Sequence, residues 1–216
     1  MLIILLGAPG VGKGTQAQIL VERHGWTRLA TGDMLREAIS AGTELGRKVQ
    51  SVMARGELVS DAIIGELVEA RLRGDAAAGG VVFDGFPRTV KQAELLERLL
   101  RESGRRLDQV IQIDLATEEI VRRISGRRSC PACGALYHLE DHPPQRAGRC
   151  DACGAELAQR EDDRPEVVAE RLREYHQHTA PLLEFYKQGF PFVAIDGRGT
   201  VDEVRRRIER VLESQA

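Results

Sequence analysis

The sequence has almost no net charge and no long apolar run. Its 216 residues carry 31 Lys and Arg against 33 Asp and Glu, a net charge of −2. So even a balance gives no overall attraction to nucleic acid or to an anionic membrane, and any basic cluster must be local. No apolar run approaches the roughly 20 residues that a membrane-spanning helix needs. We therefore expect a cytoplasmic protein with no membrane and no nucleic-acid partner.

Cysteine is limited to four residues in one short stretch. Cys130 and Cys133 form one C-x₂-C pair, and Cys150 and Cys153 form a second. This spacing is typical of a tetrahedral zinc site of four thiolates, so we expect one structural Zn²⁺ per chain. Two disulfides are the alternative, which the absence of an export signal disfavours.

The most informative stretch covers residues 7–15 and reads GAPGVGKGT. It follows the apolar run Leu2–Leu6 and opens a segment of helical periodicity. We expect Leu2–Leu6 to be a first strand rather than a signal sequence, because no basic region precedes it. A strand, a glycine-rich turn and a helix N-terminus form a cradle of N–H groups for phosphate, and Lys13 adds a positive charge. The stretch therefore predicts a polyphosphate site.

One position departs from the general phosphate-loop pattern. The Ser or Thr that normally follows the lysine is Gly14 here, and the hydroxyl comes one residue later, at Thr15. A direct contact between a loop hydroxyl and Mg²⁺ is therefore disfavoured, whereas phosphate binding is not affected.

Apolar runs of strand length alternate with helical patterns along most of the chain. After the first run, further ones occupy residues 81–83, 110–113 and 192–195. The alternation predicts a mostly parallel sheet covered on both faces, with ligands at the carboxyl ends of the strands. Asp84 and Asp114 follow two of these runs.

Capping residues predict where three helices begin. Ser60 and Thr117 are expected at N-caps, and Thr200 with Glu203 is expected to form a capping box for the last helix. The glycine-flanked residues 74–80 are expected to form a surface link.

Two segments interrupt the alternation of strands and helices. Residues 30–59 have a helical pattern punctuated by glycines, and residues 127–163 are loop-like and hold the cysteines. We expect both to be small insertions over the carboxyl edge of the sheet, around a core of residues 1–29, 60–126 and 164–216. The second insertion is too small for an apolar core of its own, so metal would supply its stability.

No nucleophile–base pair accompanies the phosphate loop, and the five histidines are scattered. A missing base does not matter when the acceptor is itself a phosphate, whose second pKa is about 6. Such a transfer needs charge cancellation, alignment and exclusion of water. Guanidinium groups suit that task. The arginines in informative contexts are Arg36, Arg88, Arg123, Arg127, Arg160 and Arg171.

The motifs of the chain, in their order and spacing, closely resemble the adenylate kinase family in its long form with a zinc-binding lid. The resemblance covers essentially the whole chain, and it rests on GAPGVGKGT at 7–15, TGDMLR at 31–36, DGFPRT at 84–89 with Gln92, GRR at 126–128, the C-x₂-C pairs, REDD at 160–163 and REYHQHTAPL at 173–182.

The resemblance implies an α/β fold of the P-loop NTPase type. Its parallel five-stranded sheet would be flanked by helices and would carry a small helical insertion for the nucleoside monophosphate and a zinc-ribbon-like lid. The implied reaction is reversible transfer of the terminal phosphoryl group of MgATP to AMP, giving two ADP and maintaining adenine nucleotide balance. The implied partners are these nucleotides alone, and the implied state is a monomer.

The resemblance also implies roles for individual residues. The ATP site would comprise Gly10, Val11, Gly12, Lys13, Gly14, Thr15, Arg123, Arg127, Leu136, Tyr137 and Gly199. The AMP site would comprise Thr31, Arg36, Glu57, Leu58, Val59, Gly85, Phe86, Pro87, Arg88, Gln92, Arg160 and Arg171. The catalytic cations would be Lys13, Arg88, Arg123, Arg127, Arg160 and Arg171. Asp84 would hold Mg²⁺ through water, and the zinc ligands would be Cys130, Cys133, Cys150 and Cys153.

Three other interpretations stay open at this point. A kinase for GMP, CMP or UMP would share every phosphate contact and differ around Thr31, Val59 and Gln92. A zinc ribbon that binds nucleic acid is disfavoured, because the segment between the cysteine pairs has few basic residues (Arg146 and Arg149) and one aromatic residue, Tyr137. A purely regulatory nucleotide-binding module is disfavoured by the full set of transfer arginines.

Overall fold

A parallel β-sheet forms the centre of the molecule. The structure is a computed structural model that describes residues 1–73 and 79–214. The strands in this part of the chain are β1 (Leu2–Leu6), β2 (Thr27–Ala30), β3 (Val81–Asp84), β4 (Gln109–Asp114), β5 (Arg127–Ser129), β6 (Leu136–His138) and β7 (Phe192–Asp196). Five of them pair in the order β2-β3-β1-β4-β7, all parallel, as expected for the P-loop type of fold.

Helices cover both faces of this sheet. Those of the described residues are α1 (Lys13–His24), α2 (Thr31–Ser40), α3 (Glu44–Ala54), α4 (Asp61–Leu72), α5 (Val90–Glu102), α6 (Thr117–Gly126), α7 (Pro165–Glu174), α8 (Pro181–Lys187) and α9 (Val201–Glu213). A 3₁₀ turn, Glu161–Asp163, precedes α7, and a π-helical turn, Tyr175–Thr179, joins α7 to α8. None of these helices has the length and apolar character to span a bilayer.

The alternation of side chains along β1 divides the apolar core in two. Leu2, Ile4 and Leu6 pack into one core, whereas Ile3 and Leu5 pack into the other. Successive residues of a strand point to opposite faces, so a strand covered on both faces must be apolar throughout. Each such buried side chain stabilises the fold by about 1.5–3 kcal/mol. The sheet is therefore a rigid base for the loops at its carboxyl edge.

All four apolar runs of strand length are confirmed as strands of the sheet, but β2 was not among them. This strand has only four residues, reads TRLA and is half-buried in its first two positions. It forms one edge of the sheet and pairs with β3 alone. An edge strand buries less apolar surface, which explains the weak signal in the sequence.

Two of the three predicted helix starts are confirmed. Ser60 is the N-cap of α4, without a side-chain hydrogen bond, and Thr200 forms the expected capping box with Glu203 on α9. The prediction for Thr117 is wrong by one residue. Ala116 is the N-cap, with extended backbone at φ −62° and ψ 144°, and Thr117 is the first residue of α6.

Apart from Ala30, which ends β2, both insertions lie outside the central sheet. The first holds α2 and α3, which approach so closely that a Cβ on Gly46 would lie 2.1 Å from the carbonyl oxygen of Ala38. The second is not entirely loop-like, since β5 and β6 form an antiparallel pair within it. Of the predicted link at 74–80, residues 74–78 lie outside the described part of the chain.

Candidate active site

The glycine-rich loop between β1 and α1 has the backbone that a phosphate cradle needs. Gly7, Gly10 and Gly12 have φ angles of 140°, 87° and 104°, in the left-handed region that favours glycine. A Cβ on Gly7 would lie 2.5 Å from the carbonyl oxygen of Ile113. The helix begins at Lys13, so its first N–H groups face the end of the loop. Of the other residues predicted for phosphate, Val11 is buried, and Gly14 and Thr15 lie in the first turn of α1.

The side chain of Lys13 is held inside this loop by backbone carbonyl groups of the loop. The Nζ atom donates to the carbonyl oxygens of Gly7 at 2.7 Å and Ala8 at 2.8 Å. Burial lowers the pKa of Lys13 to about 7, and the carboxylate of Asp84 partly opposes this effect. The amino group of Lys13 is thus positioned before any phosphate binds.

A cavity lies between the first insertion and the carboxyl end of β3. Nine of the residues predicted for AMP line it, namely Thr31, Arg36, Glu57, Leu58, Val59, Gly85, Arg88, Gln92 and Arg171. Phe86, Pro87 and Arg160 are not among its lining residues, and Phe86 is fully buried in the core. The tertiary structure therefore brings together residues from three separate segments around one space.

Two polar groups of this cavity are tied to the protein. Gln92 accepts from the backbone N–H of Arg88 at 2.8 Å, and its Nε2 donates to Asp61 at 2.7 Å. Thr31 donates its hydroxyl to the carbonyl oxygen of Gly85 at 3.0 Å. These bonds orient both side chains at the wall of the cavity.

The arginines at the cavity have more positive charge than their surroundings neutralise. Arg88 is half-buried and donates its Nε to the carbonyl oxygen of Gly85 at 2.8 Å. Burial, and then the charges of Arg171 and Arg36, lower the pKa of Arg88 to about 10. Burial and the same kind of repulsion lower the pKa of Arg160 to about 10. Both pKa values stay well above neutral pH, so Arg88 and Arg160 keep their charge, and an anion bound beside them relieves the repulsion.

Aspartates that we did not assign from the sequence hold these arginines in place. Asp163, with no exposed side-chain surface, binds Arg127 with both oxygens, at 2.7 Å from its Nε, and lies 2.8 Å from Arg171. Asp162 lies 3.1 Å from Arg171. Both acids belong to the REDD stretch, which was the signal available in the sequence. These fixed counter-charges offset the repulsion between the guanidinium groups and so hold them close together.

Three further residues predicted for ATP, Arg123, Leu136 and Tyr137, lie on α6 and β6. Arg123 is 2.9 Å from Glu119 and donates to the carbonyl oxygen of Gly197 at 3.2 Å, close in sequence to Gly199. Leu136 and Tyr137 lie on β6. The hydroxyl of Tyr137 accepts from a backbone N–H in the lid at 2.8 Å, and its ring is buried in the small core there. Arg123 is thus placed next to the loop that carries Gly199, another residue predicted for the ATP site.

Asp84 lies at the end of β3 and next to the phosphate loop. A Cβ on Gly14 would be only 3.3 Å from Oδ2 of this carboxylate. Arg28, which we did not assign from the sequence, binds the same oxygen with Nη2 at 2.5 Å and Nε at 3.1 Å. A carboxylate oxygen beside a polyphosphate site is the hard donor that Mg²⁺ prefers, so the residue fits the predicted metal role.

The four cysteines fit a zinc ion. Their sulfur atoms all lie within 4.8 Å of one another, with Cys130 and Cys153 at 3.4 Å and Cys133 and Cys150 at 3.5 Å. Tetrahedral Zn–S bonds of about 2.3 Å require sulfur separations of about 3.8 Å. All four are free thiols, so the alternative of two disulfides is not supported. The donor set and its spacing match a closed structural site.

A polyphosphate cradle, a second cavity beside it and a cluster of arginines between them define a phosphotransferase of the nucleoside monophosphate kinase class. The family model described as adenylate kinase matches residues 5–190. The chain belongs to the adenylate kinase family. Its reaction is the reversible transfer of the terminal phosphoryl group of ATP to AMP, which gives two ADP.

Individual relatives are similar in sequence to this chain along almost their whole length. An adenylate kinase of Trichlorobacter lovleyi is 51% identical over 98% of this chain and 99% of its own. Adenylate kinases of Pyrococcus furiosus and Archaeoglobus fulgidus are 47% and 46% identical, each over 99% of this chain and over 96% and 98% of their own.

Proposed function

We propose that the cavity beside β3 binds AMP and that the phosphate loop binds the polyphosphate of ATP. The observation that supports this most strongly is the lining of the cavity, which joins Arg36 of the first insertion, Arg88 after β3 and Arg171 of α7. Three guanidinium groups around one space suit a phosphate dianion. The apolar side chains of Leu35, Met53 and other residues at the same wall suit a base.

The acceptor in this reaction needs no general base. The second pKa of a phosphomonoester is about 6, so the AMP phosphate is mostly a dianion at neutral pH. One of its oxygens forms a bond to the γ-phosphorus of ATP, while the bond from that phosphorus to the β–γ bridging oxygen breaks. The electron pair stays on the β-phosphate of the product ADP. What remains for the protein is to align two anions and to neutralise them.

Each cation of the site would contact particular phosphate groups. Lys13 and the N–H groups of the phosphate loop would contact the β- and γ-phosphates, and Arg88 would contact both the AMP phosphate and the transferring group. Arg123, Arg127, Arg160 and Arg171 would neutralise the transferring phosphoryl group, with Arg127 and Arg171 fixed by Asp163. Arg160 and Arg171 would also contact the AMP phosphate, and Arg123 and Arg127 would contact ATP. Because these groups are held before binding, little reorganisation is needed in the transition state.

Two metals complete the proposal. A structural zinc on Cys130, Cys133, Cys150 and Cys153 would leave no open coordination position for substrate. Asp84 would bind Mg²⁺ through water. When bound, that ion neutralises charge on the β- and γ-phosphates.

The two insertions would act as covers over the sheet edge. We assign residues 30–59 to the AMP cover, residues 127–163 to the lid over ATP, and residues 1–29, 60–126 and 164–216 to the core. Closed covers exclude water, which would otherwise accept the phosphoryl group and turn the enzyme into an ATPase. The monomeric state and the cytoplasmic location stay predictions from the sequence.

A coupled assay with AMP, GMP, CMP and UMP as acceptors tests the assignment of the base pocket. We expect AMP to be preferred, and Gln92→Ala to reduce this preference, because the amide orients the cavity wall. Equal rates with all four acceptors would contradict the choice of AMP while leaving the phosphate contacts in place. Calorimetry with diadenosine pentaphosphate tests the whole arrangement, and absence of any binding would overturn it.

A further inference from the structure

Arg28 joins two carboxylates of the site and has no role in the mechanism so far. It lies on the edge strand β2, with its side chain 22% exposed. Its Nε and Nη2 both bind Oδ2 of Asp84, and its Nη1 lies 2.9 Å from Oδ2 of Asp33. Burial acts to lower the pKa of Arg28, but these two carboxylates outweigh it and raise the pKa above its ordinary value. The side chain is therefore a permanent cation with a defined orientation.

The guanidinium group also lies against the phosphate loop. A Cβ on Gly14 would be 3.0 Å from Nη2 of Arg28. Gly14 is the position that departs from the general phosphate-loop pattern. Arg28 and Asp84 occupy the space that a side chain at this position would need, so the glycine and the ion pair belong to one local arrangement.

Asp33 extends the arrangement to the AMP cavity. Its second oxygen, Oδ1, lies 2.6 Å from Arg36 and 4.0 Å from Arg160. A continuous chain of charges therefore leads from Asp84 through Arg28 and Asp33 to two of the arginines predicted for AMP. Positive and negative side chains alternate along this chain, so each one helps to fix the position of the next.

We propose that Arg28 is a positioning residue that holds one oxygen of Asp84 and one of Asp33, and that its charge sets how strongly nucleotide binding depends on Mg²⁺. This inference rests on the proposed role of Asp84. With Arg28 present, the carboxylate of Asp84 is already half neutralised, so it repels metal-free ATP less and attracts a magnesium ion less. Without Arg28, the carboxylate of Asp84 repels metal-free ATP more strongly and also attracts a magnesium ion more strongly.

The measurable quantity is a ratio of dissociation constants. Calorimetry with adenylyl imidodiphosphate, an ATP analogue that resists transfer, gives the constant in magnesium-free buffer and in buffer with Mg²⁺. No chelator is added, so the zinc site is unaffected. For Arg28→Gln we expect the ratio of the metal-free to the metal-bound constant to rise roughly fivefold or more. A purely structural loss would weaken both constants together and leave the ratio unchanged.

Matched variants separate charge from shape. Arg28→Lys keeps the charge and is expected to hold the ratio within about twofold of the wild type. Arg23→Gln serves as the control, because this arginine of α1 pairs with Glu209 of α9 rather than with Asp84 or Asp33. In an Asp84→Asn background, Arg28→Gln is expected to leave the ratio unchanged.

Each outcome has a defined meaning. An unchanged ratio in Arg28→Gln, with Asp84→Asn altering it, would overturn the inference about Arg28 alone. An unchanged ratio in Asp84→Asn would instead show that the proposed role of Asp84 is wrong. If the Gln variant does not fold, Arg28→Lys decides, because a fivefold rise in that variant would contradict a role that depends on charge.

Discussion

At the scale of single residues, each cation of the site is held by a second group. Lys13 donates to two loop carbonyls, Arg88 donates to another, and Asp163 holds a further pair of arginines. Donors that are fixed before the reaction stabilise developing charge without reorganisation. Loss of one such donor should therefore affect the chemical step more than the stability of the fold.

Substitution of Arg88 by alanine is the direct test of this view. The guanidinium lies between the AMP cavity and the phosphate loop, so we expect kcat/KM to fall roughly 100-fold or more, by about 3 kcal/mol. Arg106→Ala is the control, because Arg106 is 91% exposed and lies 3.9 Å from its partner Asp108. A value within about threefold of the wild type would count against the assigned role.

The pKa of Lys13 predicts that nucleotide binding takes up protons. Burial lowers this pKa to about 7, so at a pH of about 8 the free protein holds Lys13 mostly neutral. Phosphate oxygens close to Nζ favour the charged form and raise the pKa. Calorimetry in buffers of different ionisation enthalpy should show proton uptake that Lys13→Met lacks. Equal uptake by both proteins would show that another group is responsible.

At the scale of elements, the lid depends on its cysteines. Its core consists of Cys130, Cys150 and Tyr137, with three partly buried apolar residues packed against them. The pair β5–β6 adds only three residues from each strand. So small an apolar cluster cannot offset the loss of backbone entropy, and a metal ion is the expected source of stability.

Removal of zinc should therefore lower the melting temperature and the activity. We expect strong chelation to lower the melting temperature by about 5 °C or more, which corresponds to about 2 kcal/mol in a chain of this size. A Cys133→Ser, Cys153→Ser variant, already unable to hold the ion, should not respond to the chelator. Metal-free protein that kept both its melting temperature and its activity would refute the zinc assignment.

At the scale of the whole molecule, the two insertions and the rest of the chain meet around one space. Asp33 of the first insertion lies 4.0 Å from Arg160 near the end of the second. A Cβ on Gly56 would lie 2.8 Å from Cγ of Arg171 on α7. Because parts distant in sequence share the site, a ligand that spans it should stabilise all of them together.

Diadenosine pentaphosphate should raise the melting temperature of the whole protein. At about 100 times its dissociation constant, a ligand adds about 2.7 kcal/mol of stability. For a chain of this size that corresponds to a rise of about 5–10 °C. The triphosphate-linked analogue at the same concentration should raise it less, because its shorter bridge cannot fill both phosphate sites. Equal shifts from the two compounds would contradict a site that spans both covers.

Features that depend on neighbouring residues were determined by the sequence itself. The phosphate loop, the two cysteine pairs and the capping box of Thr200 and Glu203 each involve groups a few residues apart, so their types and spacing already specify the geometry. The apolar runs that became β1, β3, β4 and β7 were equally clear, since a strand buried on both faces must be apolar throughout.

Only the tertiary structure decided which charges meet. Arg28 reaches Asp84 across 56 positions of the chain, and Arg127 reaches Asp163 across 36 positions. The edge strand β2, too short and polar to stand out in the sequence, takes its place by pairing with β3 and so carries Arg28 to the site. Local patterns predict that an arginine is available, but its partner depends on the order of strands in the sheet. That order follows from packing the whole chain around two cores.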